Sequence, residues 1–319
     1  MFTDLTGQQL EDYRSAQVDP EDFDAFWQQT LEDARQHPLA LELTPIEHPL
    51  RTLEVYDLRF SGYGGDRIAA WLRLPAEVSG PLPTIVEFVG YGGGRGLAVD
   101  SLFWASCGFA HLQMDTRGQG ASWSVGVTPD TGAAGPRVPG MMTAGIEHPE
   151  RYYYRRLITD AVRCLEAARE VAAIDAERIA AYGISQGGGL SLAASILSAI
   201  PRVLVAHVPF LCDFPRAIGI TDADPYREIG RFLATHRDMA TAALHTLSYF
   251  DGVNFARRGG APAYFSAALM DEICPPSTVF GAYHAYGGPK QIHVWDYNGH
   301  EGGETFDALR MADVLSSVL

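Results

Sequence analysis

The sequence is poor in cysteine, in positive charge and in long apolar runs. Its four cysteines, Cys107, Cys164, Cys212 and Cys274, are scattered and form no C-x-x-C pair. That spacing argues against a disulfide framework or a zinc site and fits a reducing cytoplasm. Lysine and arginine total 24 against 39 acidic residues, a formal net charge of −15. Phosphate binding needs a basic surface, so this balance argues against nucleic acid and against anionic membranes as partners. No stretch approaches the roughly 20 consecutive apolar residues of a membrane span. The opening MFTDLTGQQLEDYRSAQVDPEDFDAFW has neither a basic start nor an apolar core, so no signal peptide is expected. Internal repeats and low-complexity tracts are missing as well.

What is present suits a protein with a large buried core. Hydrophobic residues make up 47 % of the 319 and charged residues 20 %. Length alone suggests about two domains, yet α/β folds often run longer as one. The expectation is a single domain over residues 1–319, with a helical extension over 1–50 and a helical insertion over 211–253.

In the extension, Asp19-Pro20-Glu21-Asp22 reads as a helix start, with Phe23, Phe26, Trp27, Thr30 and Leu31 following at helical spacing. Leu53 to Phe60 and Arg67 to Leu74 are extended runs around the turn Ser61–Asp66, expected to form an antiparallel hairpin at the sheet edge. From Pro83 onward, short apolar runs alternate with helical segments. The runs are Thr84–Val89, Phe109–Met114, Arg178–Ile184, Val203–Val208, Ala263–Leu269 and Ile292–Tyr297, and the clearest helix is Tyr153–Val171. This pattern specifies an α/β protein with a buried, mostly parallel central sheet flanked by helices. Ligands of such sheets lie beyond the carboxyl ends of the strands. Two stretches break the rhythm: Ala121–Arg151, rich in Gly and Pro, and the insertion before the strand Ala263–Leu269.

Gly183-Ile184-Ser185-Gln186-Gly187 matches G-x-S-x-G, a weak signal alone. Its context is stronger: an apolar strand precedes it and a glycine-rich helix start follows, the strand-turn-helix of a nucleophile elbow in an α/β-hydrolase. Ser185 is the candidate nucleophile. The fold needs an acid and then a histidine later in the chain. His300 lies on a loop after the last strand, whereas His293 is mid-strand, His284 helical and His245 inside the insertion. Asp271 closes the strand Ala263–Leu269 and is the candidate acid, with Glu272, Asp251 and Asp296 as outside candidates and helix capping as its alternative role. For an oxyanion, the backbone N–H groups of Gln186 and Tyr91, the latter in Gly90-Tyr91-Gly92, are the candidate donors.

These residues resemble the cephalosporin C deacetylase / acetyl xylan esterase family, carbohydrate esterase family 7. Arg117-Gly118-Gln119, Gly183–Gly187 and His300-Glu301 carry the likeness. So do Pro139–Thr143, Tyr152–Arg156, Val208–Phe214 and Met270–Pro276, and the resemblance runs over essentially the whole chain. It implies a triad at Ser185, Asp271 and His300, with oxyanion donors at Tyr91 and Gln186. It implies deacetylation of short xylo-oligosaccharides and often of cephalosporin C, by a cytoplasmic hexamer without metal or cofactor. One departure is Val89, where the family commonly has histidine before Gly-Tyr. Arg117 and Gln119 read as braces for the active-site loops and not as catalytic groups. Three other readings compete. A general short-chain carboxylesterase would share all of these residues. An oligopeptidase would need room for a propeller, and a non-catalytic binding protein would be expected to have lost a triad member. Metal-dependent hydrolysis lacks its HxxEH-type motif.

Overall fold

The computed structural model describes all residues except 1, 3, 79 and 132–139; Pro139, part of the family likeness, and the middle of Ala121–Arg151 lie outside the described residues. Nine strands form one sheet in the order β1-β2-β3-β5-β4-β6-β7-β8-β9. They are β1 (Glu42–Pro45), β2 (Leu53–Ser61), β3 (Arg67–Pro75), β4 (Leu82–Phe88), β5 (Ala110–Met114), β6 (Ile174–Ile184), β7 (Val203–His207), β8 (Ala263–Ala268) and β9 (Lys290–Trp295). Every pairing from β5–β4 across to β8–β9 is parallel, and β1, β2 and β3 are antiparallel.

The central parallel strands are mostly apolar where helices cover both faces, whereas the edge strand β9 is only partly buried. Successive residues go to opposite sides. Ile85, Ala180, Val203 and Val205 pack with Trp104, Phe109, Met311 and Leu315 on one face. Val86, Ala181, Leu204 and Ala206 join Leu157, Ala161, Leu165 and Leu190 on the other. Fully burying one such large side chain is worth about 1.5–3 kcal/mol. The helix Tyr153–Glu170 is buried on more than one stripe, since it packs against both the sheet and the helix Gln186–Ser198.

Two expectations need correction. Residues 42–45 are not helical but form β1, and the hairpin β2–β3 is therefore not at the edge. All four β1 residues are exposed, so no apolar alternation marks the strand. It forms because the outer edge of β2 offers unpaired backbone groups that a short polar strand can take up. The expected cover helix is present as Phe23–Arg35, with Phe23, Trp27, Thr30, Leu31 and Ala34 buried. Its Trp27 Nε1 donates to the Tyr249 carbonyl at 2.9 Å and its ring meets Phe250 edge-on, so it covers the insertion. The insertion itself is helical at Phe214–Ile220, Tyr226–Thr235, Ala240–Ser248 and Gly252–Ala256.

The chain leaves β4 for β5 on one side and returns to β6 on the other. This is the switch point of the sheet, where the loops leaving neighbouring strands diverge and open a crevice.

Candidate active site

Ser185 follows β6 and precedes the helix Gln186–Ser198, with φ 58° and ψ −122°. A non-glycine residue there is strained by about 1–3 kcal/mol and must be held by its surroundings. The Ser185 N–H donates to the His207 carbonyl at 3.0 Å, and Phe210 N–H donates to the Ser185 carbonyl at 2.9 Å. The flanking glycines are required by close backbone approach. A Cβ on Gly187 would lie 2.0 Å from the Phe88 oxygen, and one on Gly183 2.2 Å from the Gly187 carbonyl.

Three strand ends then converge. His300 Nε2 lies 2.9 Å from Ser185 Oγ, and His300 Nδ1 lies 2.9 Å from Asp271 Oδ2. Asp271 is fully buried, and its Oδ1 accepts the N–H groups of Ile273 and Cys274 at 2.8 Å each. It thus both orients the histidine and ties down its own loop. Among the other acids, Glu272 and Asp296 are exposed. Asp251 accepts the N–H groups of Asp213, Phe214 and Val253 as a helix cap, and burial with Asp213 nearby pushes its carboxyl up to about 6. Neither imidazole nor serine is offered to it.

The Tyr91 and Gln186 N–H groups carry no intramolecular hydrogen bond among the described residues. Gln186 opens its helix, where the orphan N–H groups and the dipole favour negative charge. Its side chain points away from the serine. It donates to the Val89 carbonyl at 3.1 Å and accepts from Tyr154 and Gln119 at 2.9 Å each. Gln119 Oε1 in turn accepts the Gly92 N–H at 2.6 Å, so this buried amide joins the two donor-bearing loops. Arg117, fully buried, pairs with Asp160 at 2.5 Å and Asp66 at 2.9 Å. Gln119 thus links the two donor loops, and Arg117 ties the loop after β5 to Asp160 and Asp66.

A cavity of about 540 Å³ opens on Ser185 and His300. Val89, Tyr91, Trp123, Pro225 and Ile273 form its apolar walls, and Glu87, Asp100 and Gln113 its polar end. Trp123 and Glu228 border the site outside any motif, and Cys274 lies in Met270–Pro276 without a role assigned from sequence. Trp123 donates from Nε1 to the Tyr91 carbonyl at 2.8 Å. Glu228 meets the Tyr91 phenol at 2.8 Å. Cys274 is buried beside Asp271, and both burial and that carboxylate push its thiol up. Asp271, Cys274 and His300 bring ligand-type atoms within 4.8 Å of one another. Two of these groups already satisfy each other and the third is held as a neutral thiol. The arrangement is suited to acyl transfer: a hydroxyl, a base in contact with it, a buried acid behind the base, and two N–H groups for developing charge.

Comparison with known proteins gives the same direction. The solved acetyl xylan esterase from Paenibacillus sp. R4 superposes with a TM-score of 0.92 at 37 % identity, covering 99 % of this chain and 100 % of that one. Acetyl xylan esterase 1 from Thermoanaerobacterium sp. JW/SL YS485 gives 0.88 at 32 % identity, covering 98 % and 99 %. The acetyl esterase Axe7A of Xylanibacter ruminicola is 27 % identical over 290 residues; the match takes in 88 % of this chain but 63 % of that longer protein. The model of the acetyl xylan esterase family matches residues 1–317, and the chain belongs to that family.

Proposed function

We propose that this protein is a serine carboxylesterase that removes acetyl groups from acetylated xylo-oligosaccharides through an acetyl-enzyme intermediate. The unbroken chain Ser185–His300–Asp271, with both contacts at 2.9 Å, carries the reading. His300 takes the Ser185 proton as Oγ attacks the acetyl carbonyl. The oxyanion accepts from the Tyr91 and Gln186 N–H groups. The C–O bond to the sugar breaks, and the alcohol leaves with the proton from His300. Water, deprotonated by the same imidazole, then attacks the acetyl-serine and releases acetate. Asp271 keeps the proton on Nδ1 and stabilises the imidazolium.

Small acetyl esters such as cephalosporin C fit the same chemistry as secondary substrates. The four free cysteines, three of them buried, support a reducing, cytoplasmic location. Residues 1–319 are read as one domain with an N-terminal extension and an insertion over 211–253, and the assembly as a hexamer.

Hydrolysis of p-nitrophenyl acetate, butyrate and octanoate, and acetate release from acetylated xylo-oligosaccharides, test this in wild type and Ser185→Ala. Strong preference for acetate, release from the sugar and an inactive variant are expected. Preference for longer chains would retain the triad and remove the proposed substrate. Full activity in Ser185→Ala would overturn the mechanism and favour a non-catalytic binding protein with a contaminating activity in the preparation.

A further inference from the structure

We infer that Glu228, on the insertion helix Tyr226–Thr235, is a positioning residue for the oxyanion donor Tyr91. The inference rests on the catalytic reading above. The Tyr91 loop, Gly90–Gly94, contains four glycines among five residues and has little stiffness of its own. Its one residue with a side chain is held both at the backbone and at the tip of the side chain. The main-chain carbonyl of Tyr91 accepts from Trp123 Nε1 at 2.8 Å. At the far end, the Tyr91 hydroxyl lies 2.8 and 3.0 Å from the two Glu228 oxygens. The same hydroxyl accepts the N–H groups of Gly140 at 3.0 Å and Met141 at 2.9 Å, and Glu228 Oε2 accepts that of Met142 at 3.2 Å. The phenol therefore gives its only proton to Glu228 and fills its remaining capacity with two N–H donors.

Glu228 is 8 % exposed and has no arginine or lysine in an ion pair among the described residues. A carboxylate buried without a cation costs stability, and an apolar side chain of similar size would avoid that cost. What the carboxylate adds is direction. It fixes the phenol, the phenol fixes the Tyr91 backbone from the side, and Trp123 fixes it from the carbonyl. Oxyanion donors act only where they already point at the developing charge, so a loop left to wander loses rate before it loses substrate.

The test compares Glu228→Ala, Glu228→Gln, Tyr91→Phe and the double variant Glu228→Ala/Tyr91→Phe. The measurements are kcat and KM on p-nitrophenyl acetate, Ki for a trifluoromethyl ketone that Ser185 converts to an oxyanion adduct, and Tm. Glu228→Ala should lower kcat about 10–100-fold with KM changed less than about threefold, and weaken the ketone in proportion. Glu228→Gln keeps an acceptor for the phenol and should recover most of the kcat. The double variant should be no slower than the worse single one, because both residues act through one contact. The inference is overturned if the ketone binds Glu228→Ala as tightly as wild type, if the two losses multiply, or if glutamine rescues Tm but not kcat. If wild type fails to form the ketone adduct and Ser185→Ala retains activity, the catalytic reading itself has failed instead.

Discussion

Ser185, His300 and Asp271 come from the ends of β6, β9 and β8 and are each in contact with the next. A unit of this kind loses most of its power when any member is removed. Ser185→Ala and His300→Ala should each lower kcat on p-nitrophenyl acetate by at least about 10³, with Tm within a few degrees of wild type. A fall in activity that tracks unfolding would contradict the assignment. These three residues were legible because each stands at a recognisable stop: a G-x-S-x-G turn, the last residue group of an apolar run, a polar loop before the final helix. Glu228 was not, since 137 residues separate it from Tyr91 and no motif surrounds it. His207 offers a separate prediction. Burial holds its imidazole well below the usual histidine range, outweighing Asp307 at 3.8 Å, which favours the charge. The unfolded chain then binds this proton at a higher pH than the folded chain. The sign follows: the contribution is fully present above about pH 6.5 and is lost as pH falls. Urea unfolding at pH 7 and pH 5 should show a smaller loss for His207→Gln than for wild type, and equal losses would refute it.

At the scale of elements, the β6–helix turn depends on backbone contact more than on any side chain. Gly187→Ala would drive a methyl to 2.0 Å from the Phe88 oxygen on β4, where backbone cannot yield. Its cost should exceed about 4 kcal/mol, seen as loss of soluble protein or a collapse in the denaturation midpoint. An Ala variant of wild-type stability would show that the elbow can open. Arg117 ties the loop after β5 to the helix Tyr153–Glu170 through Asp160, both groups being fully buried. Arg117→Ala leaves that carboxylate unpaired and should cost about 3–5 kcal/mol by chemical denaturation. Arg117→Ala/Asp160→Ala should cost less than Arg117→Ala alone, and a larger loss in the double variant would remove the pairing argument. The parallel strands were readable because burial on both faces demands uninterrupted apolar runs. β1 was not, because an exposed edge strand demands no pattern.

For the whole molecule, Leu97, Trp123 and Val125 are exposed apolar residues, and Trp123 lines the cavity. Apolar groups gathered beside a site are commonly covered by another chain. Light scattering after gel filtration should give about six times the 34.7 kDa of one chain, and a Trp123→Ser/Val125→Ser variant should shift toward smaller species. A monomeric wild type would set the hexamer aside. What the sequence by itself determined is the set of local signals: the alternation of apolar runs with amphipathic helices, the elbow glycines, and the polar stops that carry the triad. Each depends on neighbours within a few residues, where periodicity and steric limits act directly. Only the tertiary structure decided which loops face one another across the switch point. It alone brought Gln119 between the two donor loops, set Glu228 against the Tyr91 phenol and placed Trp123 on its carbonyl. Those contacts join residues 27 to 137 positions apart. Nothing local selects them; the packing of helices on both faces of the twisted sheet does.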